Sequence, residues 1–200
     1  MLVIKELDYN RLLDFYMEDF FSLRKKTFSD RLGWSVKCEN GMEFDEYDND
    51  NAKYLLGFYE GEIICGVRLI DFSYDNLITG VFKSFFENVI FPEGKFTESS
   101  RIFIDKDRVK YLGSMRKTVI YQLFLAMINY SLMHNHEGIL TIVSLPMLKI
   151  IRRSGWLLEI VQKGLSEKNE SIYLIKLFND VDSINSLKKE LIKLGGSYNV

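Results

Sequence analysis

FTESSRIFID, residues 96–105, carries an acid and a base inside a segment that otherwise has the makeup of a β-strand. A period of two sets Phe96, Glu98, Ser100, Ile102 and Ile104 on one face and Thr97, Ser99, Arg101 and Phe103 on the other. Glu98 therefore shares a mostly apolar face. Downstream, Ser114 is a candidate cap for a helix whose apolar residues Val119, Leu123, Met127 and Tyr130 recur near the helical period and which ends around Gly138. GILTIVSL, residues 138–145, reads as the next strand, and Pro146, MLKIIRR and Gly155 delimit a short basic helix. Strand, helix, strand, helix is the alternation of an α/β fold.

Upstream, KYLLGFYEGEIICGVRLIDF, residues 53–72, holds two β-rich runs about Glu60-Gly61, a hairpin signal. Residues 78–90 suggest a short helix that Pro92-Glu93-Gly94 stops. Leu12, Tyr16, Phe20, Leu23 and Thr27 mark one face of a first long helix from Asn10 to Phe28. Residues 29–53 then lose periodicity and gain Gly, Asn and carboxylates. A connection so much longer than the usual ~4–6 residues is often a lid or binding loop. Beyond Gly155, strands around 157–163 and 171–178 and a helix from about 182 to 194 complete a single domain spanning residues 1–200. The whole predicts a mixed sheet with helices on both faces, a three-layer α/β/α sandwich.

With 47% hydrophobic and 14% aromatic residues the chain can bury a substantial core, which excludes disorder. The formal net charge of −2 supplies no global positive field for nonspecific nucleic-acid binding. Cys38, Cys65, His134 and His136 lack metal-ligand spacing, so no metal is expected. MLVIKELDYN has no basic segment followed by an apolar one, and no uncharged apolar run approaches the ~20 residues that span a bilayer. The expectation is a cytoplasmic protein with no membrane association and reduced thiols.

If the Glu98 face is buried, desolvation raises the carboxyl pKa toward that of a general base at neutral pH, and a neighbouring Arg would lower it again. The alternative is a carboxylate at a sheet edge or merely ion-paired. Arg68 interrupts CGVRLIDF on the face of Ile64 and Ile70, and a buried Arg needs partners such as Asp45, Glu46 and Asp48 of the long loop. Arg24 lies four residues before Phe28 on one helical face, ahead of the amphipathic ring of Trp34. Singly, these residues read as a solvated face, loop solvation and an apolar plug. Together they make a network able to position a charged, ring-bearing substrate.

LRKKTFSDRLGW (23–34), FDEYDND (44–50), VRL (67–69), ESSRIFID (98–105) and TIVSLPMLKIIRRSGW (141–156) resemble, in order and spacing, the LuxI-type acyl-homoserine-lactone synthases, the autoinducer synthases of bacterial quorum sensing. The resemblance covers all but about the last 25 residues and implies a fold like that of the GNAT N-acetyltransferases. The family's invariant positions fall on Arg24, Phe28, Trp34, Asp45, Asp48, Arg68, Glu98 and Arg101. The implied reaction transfers an acyl chain from acyl-acyl carrier protein to the amino group of S-adenosylmethionine, a substrate and not a cofactor, then closes the lactone with loss of methylthioadenosine.

The resemblance implies Glu98 as the catalytic base and Arg24, Phe28 and Trp34 as the S-adenosylmethionine wall. Asp45, Asp48, Arg68 and Arg101 either support that wall or bind directly. Ser100, Thr141, Val143, Met147, Leu148 and Ile151 are the expected acyl site, and threonine at 141 implies a short 3-oxoacyl product. A core strand whose Thr bonds backbone is the alternative there. Lys149, Arg152 and Arg153 are expected to dock the acidic carrier protein, or else simply complement a helix C-terminus. KYLGSM (110–115), with only Gly113 where coenzyme A-binding loops are glycine-rich, favours a carrier-bound thioester. The competing enzyme is a GNAT-like N-acyltransferase using coenzyme A and another amine. A noncatalytic acyl-binding domain would not need Glu98.

Overall fold

A computed structural model describes residues 1–197. The strands are β1 (Val3–Asp8), β2 (Cys38–Glu39), β3 (Met42–Glu43), β4 (Ala52–Tyr59), β5 (Glu62–Asp71), β6 (Thr97–Ile104), β7 (Ile139–Ser144), β8 (Leu158–Leu165) and β9 (Ser171–Leu177). The α-helices are α1 (Tyr9–Lys25), α2 (Val119–Met133), α3 (Leu145–Ser154) and α4 (Val181–Lys193). Among the described residues the main sheet has seven strands in the order β1-β4-β5-β6-β7-β9-β8, antiparallel except for the parallel pair β6–β7.

The sheet separates two apolar layers. Leu55, Val67 and Leu69 pack with Leu123, Phe124, Met127 and Ile128 of α2, with Leu148 and Ile151 of α3 and with Leu187 and Leu191 of α4. The alternate residues Tyr54, Leu56 and Ile70 face Leu12, Phe20 and Phe21 of α1. Farther along that second face, Phe96, Leu140 and Leu174 are covered by Ile78 and Phe86. This is the α/β/α arrangement expected from the element pattern. The hairpin at Glu60-Gly61 forms with both residues at positive φ, 51° and 87°, as a tight turn matching strand twist requires.

Four local features depart from the sequence reading, one a strand it did not contain and three of them expectations that are corrected. First, MLVIKELD contributes an edge strand: β1 pairs with β4 from Val3↔Phe58 to Asp8↔Lys53, and Asp8 then caps α1 by accepting from the Arg11 N–H at 2.8 Å. Second, residues 78–90 form only a 3-10 turn, Val81–Phe85. The Asn76 side chain accepts from the Ile78 and Thr79 N–H groups, and a Cβ at Gly80 would lie 2.1 Å from the Tyr47 hydroxyl, so the chain turns tightly where a helix would run straight. Third, the helix expected from Ser114 starts at Val119, after a 3-10 segment Arg108–Lys117 that bends at Gly113 (φ 56°).

The fourth correction decides the site. On β5 only Val67 separates Gly66 from Arg68, whereas on β6 Arg101 and Ile102 separate their partners Phe103 and Ser100. Two residues oppose one, a β-bulge, and Arg101 takes the left-handed conformation at φ 55°. The extra residue reverses the alternation beyond Ser100. Phe103 joins the α1 layer, Ile102 and Ile104 pack with the α2 layer, and Arg101 projects on the same side as Glu98 instead of the opposite one.

Candidate active site

Arg24, in the last turn of α1, is fully buried. Its Nε donates to Glu43 at 2.6 Å and its Nη1 to Asp48 at 2.7 Å, and its guanidinium lies over the rings of Phe20 and Phe21. Tyr54 donates its hydroxyl to the same Asp48 oxygen at 2.9 Å. Arg68 makes a two-pronged bond to Asp45, approaches Asp48 at 3.1 Å, and donates its Nε to Ser100 Oγ at 3.2 Å. Arg101 bonds Glu43 at 3.0 Å and Asp45 at 2.9 Å. Ser100 Oγ closes the chain by donating to Glu98 at 3.2 Å.

Charge counting explains the behaviour of Glu98. Arg24, Arg68 and Arg101 are matched by Glu43, Asp45 and Asp48, each carboxylate bonded to at least one of them. Glu98 is a fourth carboxylate with no cation of its own among the described residues, and it is 1% exposed. Burial therefore dominates and pushes its carboxyl up to about 7, against the pull of Arg68, the Ser100 hydrogen bond and Arg101. Asp48 goes the other way: burial opposes its charge, but Arg24 and Arg68 overcome that and hold it far below the usual carboxylate range. One cluster thus contains a locked carboxylate and a titratable one.

Beyond α1 the helix widens into a π-turn, Lys26–Arg31, and the backbone then doubles back, with Trp34 N–H bonding Phe28 C=O at 2.9 Å. π-turns concentrate at functional sites. This one stacks Trp34 on Phe28 at 5.1 Å and 24°, and the Arg101 guanidinium lies 5.7 Å from the Phe28 ring centroid. Trp34 remains 45% exposed while Phe28 is buried, so the stack meets solvent on its tryptophan side.

On the sheet, β6 and β7 pair only at Thr97↔Ile139 and Glu98↔Leu140 and then diverge. The parting begins beside Glu98. Thr141, the first residue of β7 past it, donates its hydroxyl to the Ser99 carbonyl at 2.8 Å across the gap. Val143, Leu148 and Ile151 are buried with α2 in the layer opposite Glu98, and Met147 packs against them. Ser100 does not join this group; it stands beside Glu98 and Arg68, and Ser99 is the serine linked to Thr141. Lys149, Arg152 and Arg153 are exposed on α3.

Two members of the cluster escaped the sequence reading. Glu43, which holds both Arg24 and Arg101, lies on β3 of a small hairpin whose turn residues Asn40 and Gly41 have φ of 50° and 81°. The dipeptide Asn-Gly was the available signal for that hairpin. Tyr54 was hidden in an apolar strand.

Residues 8–187 match the autoinducer synthase family. The chain belongs to that family. It is 50% identical over 194 residues to an acyl-homoserine-lactone synthase of Dickeya chrysanthemi, covering 97% of this chain and 92% of that protein. Autoinducer synthases of this kind are acyltransferases, and so is this chain. The fold superposes on the crystal structure of the acyl-homoserine-lactone synthase LasI with a TM-score of 0.83 at 19% identity, covering 100% of this chain and 98% of that one. It also superposes on BjaI, a coenzyme A-dependent acyl-homoserine-lactone synthase solved with methylthioadenosine, with a TM-score of 0.81 at 19% identity and coverage of 99% and 92%. Among the described residues of this autoinducer synthase no helix is long and apolar enough to cross a membrane.

Proposed function

We infer that this synthase transfers a short 3-oxoacyl chain from acyl carrier protein to S-adenosylmethionine and closes the product to an acyl-homoserine lactone. The supporting observation is the buried Glu98 carboxyl, unmatched by a cation and placed where β6 and β7 part. An ammonium group cannot attack a thioester, so Glu98 takes its proton, directly or through a water. The amine adds to the thioester carbonyl, backbone N–H groups of the diverging strands steady the oxyanion, and the carrier thiol departs. The methionine carboxylate then displaces the sulfonium at Cγ, forming the lactone and releasing neutral methylthioadenosine. That step is intramolecular and needs positioning more than a second nucleophile.

Trp34 and Phe28 offer an aromatic stack suited to adenine or the sulfonium cation, and Arg24 fixes the helix end that carries them. The remaining arginines and carboxylates hold that wall. Incubating the protein with S-adenosylmethionine and either the carrier-bound or the coenzyme A-bound 3-oxohexanoyl thioester, with mass spectrometry of lactone and methylthioadenosine, tests the assignment. Lactone should form chiefly from the carrier. Equal or better use of coenzyme A would overturn the donor, and absence of lactone with both would overturn the reaction.

For the acyl chain, Thr141 supplies the polar contact: its hydroxyl, which donates a hydrogen bond to the Ser99 carbonyl, would donate to the 3-oxo group instead. Thr141→Val should lower the preference for 3-oxoacyl over unsubstituted acyl donors about 2- to 10-fold, the worth of one hydrogen bond. An unchanged product ratio would assign Thr141 to the sheet alone. For docking, reversing charge at exposed Arg152 and Arg153 together should raise the KM for the acyl carrier by about 10-fold at low salt, with the gap closing as salt screens it. The KM for S-adenosylmethionine should not change.

A further inference from the structure

The loop bearing Trp34 is held from two sides. On one side the Leu32, Gly33 and Trp34 N–H groups bond the π-turn carbonyls of Thr27, Ser29 and Phe28. On the other, Lys168 Nζ donates to the Gly33 carbonyl at 2.8 Å from 135 residues away. Lys168 sits at the tip of the β8–β9 hairpin, a turn made rigid by its own bonds: Ser166 N–H to Glu170 C=O at 2.9 Å, Asn169 N–H to Ser166 C=O at 2.8 Å, and Glu170 N–H to Ser166 Oγ at 3.2 Å.

The sheet order makes this contact informative. The π-turn is fixed to the end of β6, through Lys26 and Asp105 at 2.7 Å, whereas β9 and β8 lie beyond β7, across the gap that opens after Glu98 and Leu140. The Lys168–Gly33 bond therefore bridges the two halves of the sheet where they separate. Gly33 has φ 62°, a conformation that favours glycine. The bond is single and at the surface, strong enough to bias a loop and weak enough to open for a substrate.

We propose that Lys168 is a positioning residue that latches the Trp34 loop across the cleft between β6 and β7, closing the wall of the S-adenosylmethionine site. The inference rests on that site being where the Proposed function puts it. Lys168 touches no reacting atom; it acts through Gly33 on the Trp34–Phe28 stack. Releasing it loosens the loop, so substrate binding weakens while the chemical step, which depends on Glu98, proceeds at its former rate.

Tryptophan fluorescence separates the latch from the reaction, because Trp156 is 2% exposed and Trp34 carries the signal a soluble quencher can reach. In Lys168→Met, which keeps the aliphatic stem, acrylamide quenching of the substrate-free protein should increase. The KM for S-adenosylmethionine should rise roughly 2- to 10-fold with kcat changed less than about twofold, the loss of one hydrogen bond. Lys168→Arg should restore both. A Trp34→Phe control should abolish the quenching difference. Unchanged quenching and unchanged KM in Lys168→Met would overturn the latch. If the protein made no lactone at all the reaction assignment would fail, yet the quenching comparison would still decide whether Lys168 holds the loop.

Discussion

Glu98→Gln should cost the enzyme its lactone synthesis and leave it more stable. A general base contributes about 10²- to 10⁴-fold, and glutamine, similar in shape but unable to accept the ammonium proton, should lower kcat by that factor. The fold has no reason to suffer. Glu98 is an acid forced into a buried site beside a charge cluster already balanced by its own three carboxylates, and the amide removes the ionisation that burial resists.

The pH dependence follows from the direction of that shift. The Glu98 carboxyl ordinarily titrates near 4.5 and in the folded protein holds its proton to about 7. Between those values the unfolded chain binds fewer protons than the folded one, so wild-type stability falls as pH rises through this window and levels off above it. The variant escapes this loss, so its advantage in urea unfolding should be absent below pH 4.5 and greatest above pH 7. Wild-type acyl transfer should rise across the same upper range as the carboxylate forms. Substantial activity in Glu98→Gln, or equal stability of the two proteins at pH 8, would remove Glu98 from the role of buried base. As the proposed base, Glu98 would set function against stability at one carboxyl group.

Glu98 could be found in the sequence because a carboxylate in an apolar strand is locally anomalous. Its setting could not. The bulge at Arg101 depends on β5 and β6 being paired out of step by one residue, which strict alternation cannot reveal, and it moves Arg101 to the Glu98 side. The surroundings of Ser100, expected at the acyl chain, were equally out of reach: the pairing Arg68↔Ser100 puts its hydroxyl between the Arg68 guanidinium and Glu98.

The layers themselves were legible because α1, α2 and the hairpin β4–β5 have strong periodicity. The edge strand β1 was not: Val3 and the charged residues around it are largely exposed, and the pairing with β4 is what makes it a strand. Residues 78–90 failed for a related reason. Their apolar side chains Ile78 and Phe86 fill a pocket against Phe96 and Leu140 from a coiled backbone, and an apolar stretch alone does not distinguish that from a helix. Glu43 reaches its partners across 19 and 58 residues of chain, distances over which no local pattern operates.

Arg24→Met should be the most damaging single change in the cluster. Arg24 separates Glu43 from Asp48, and without it those two buried carboxylates and the partly buried Asp45 share Arg68 and Arg101 beside Glu98. Breaking a buried pair by removing one partner costs about 3–5 kcal/mol, a large part of the ~5–15 kcal/mol that holds a typical domain together. The sign of its pH dependence identifies the cause. In the wild type Asp48 has a depressed pKa, so its contribution is present above the ordinary carboxylate value of 3.8 and is lost as pH falls through the folded one. In Arg24→Met that depression is relieved, and protonating a stranded carboxylate becomes easier. The stability deficit should therefore be widest near pH 8 and shrink toward pH 5 in urea unfolding, and adding Glu43→Gln should recover part of it. A deficit independent of pH, and untouched by Glu43→Gln, would mean that Arg24 acts by filling space between Phe20 and Phe21 and not by balancing charge.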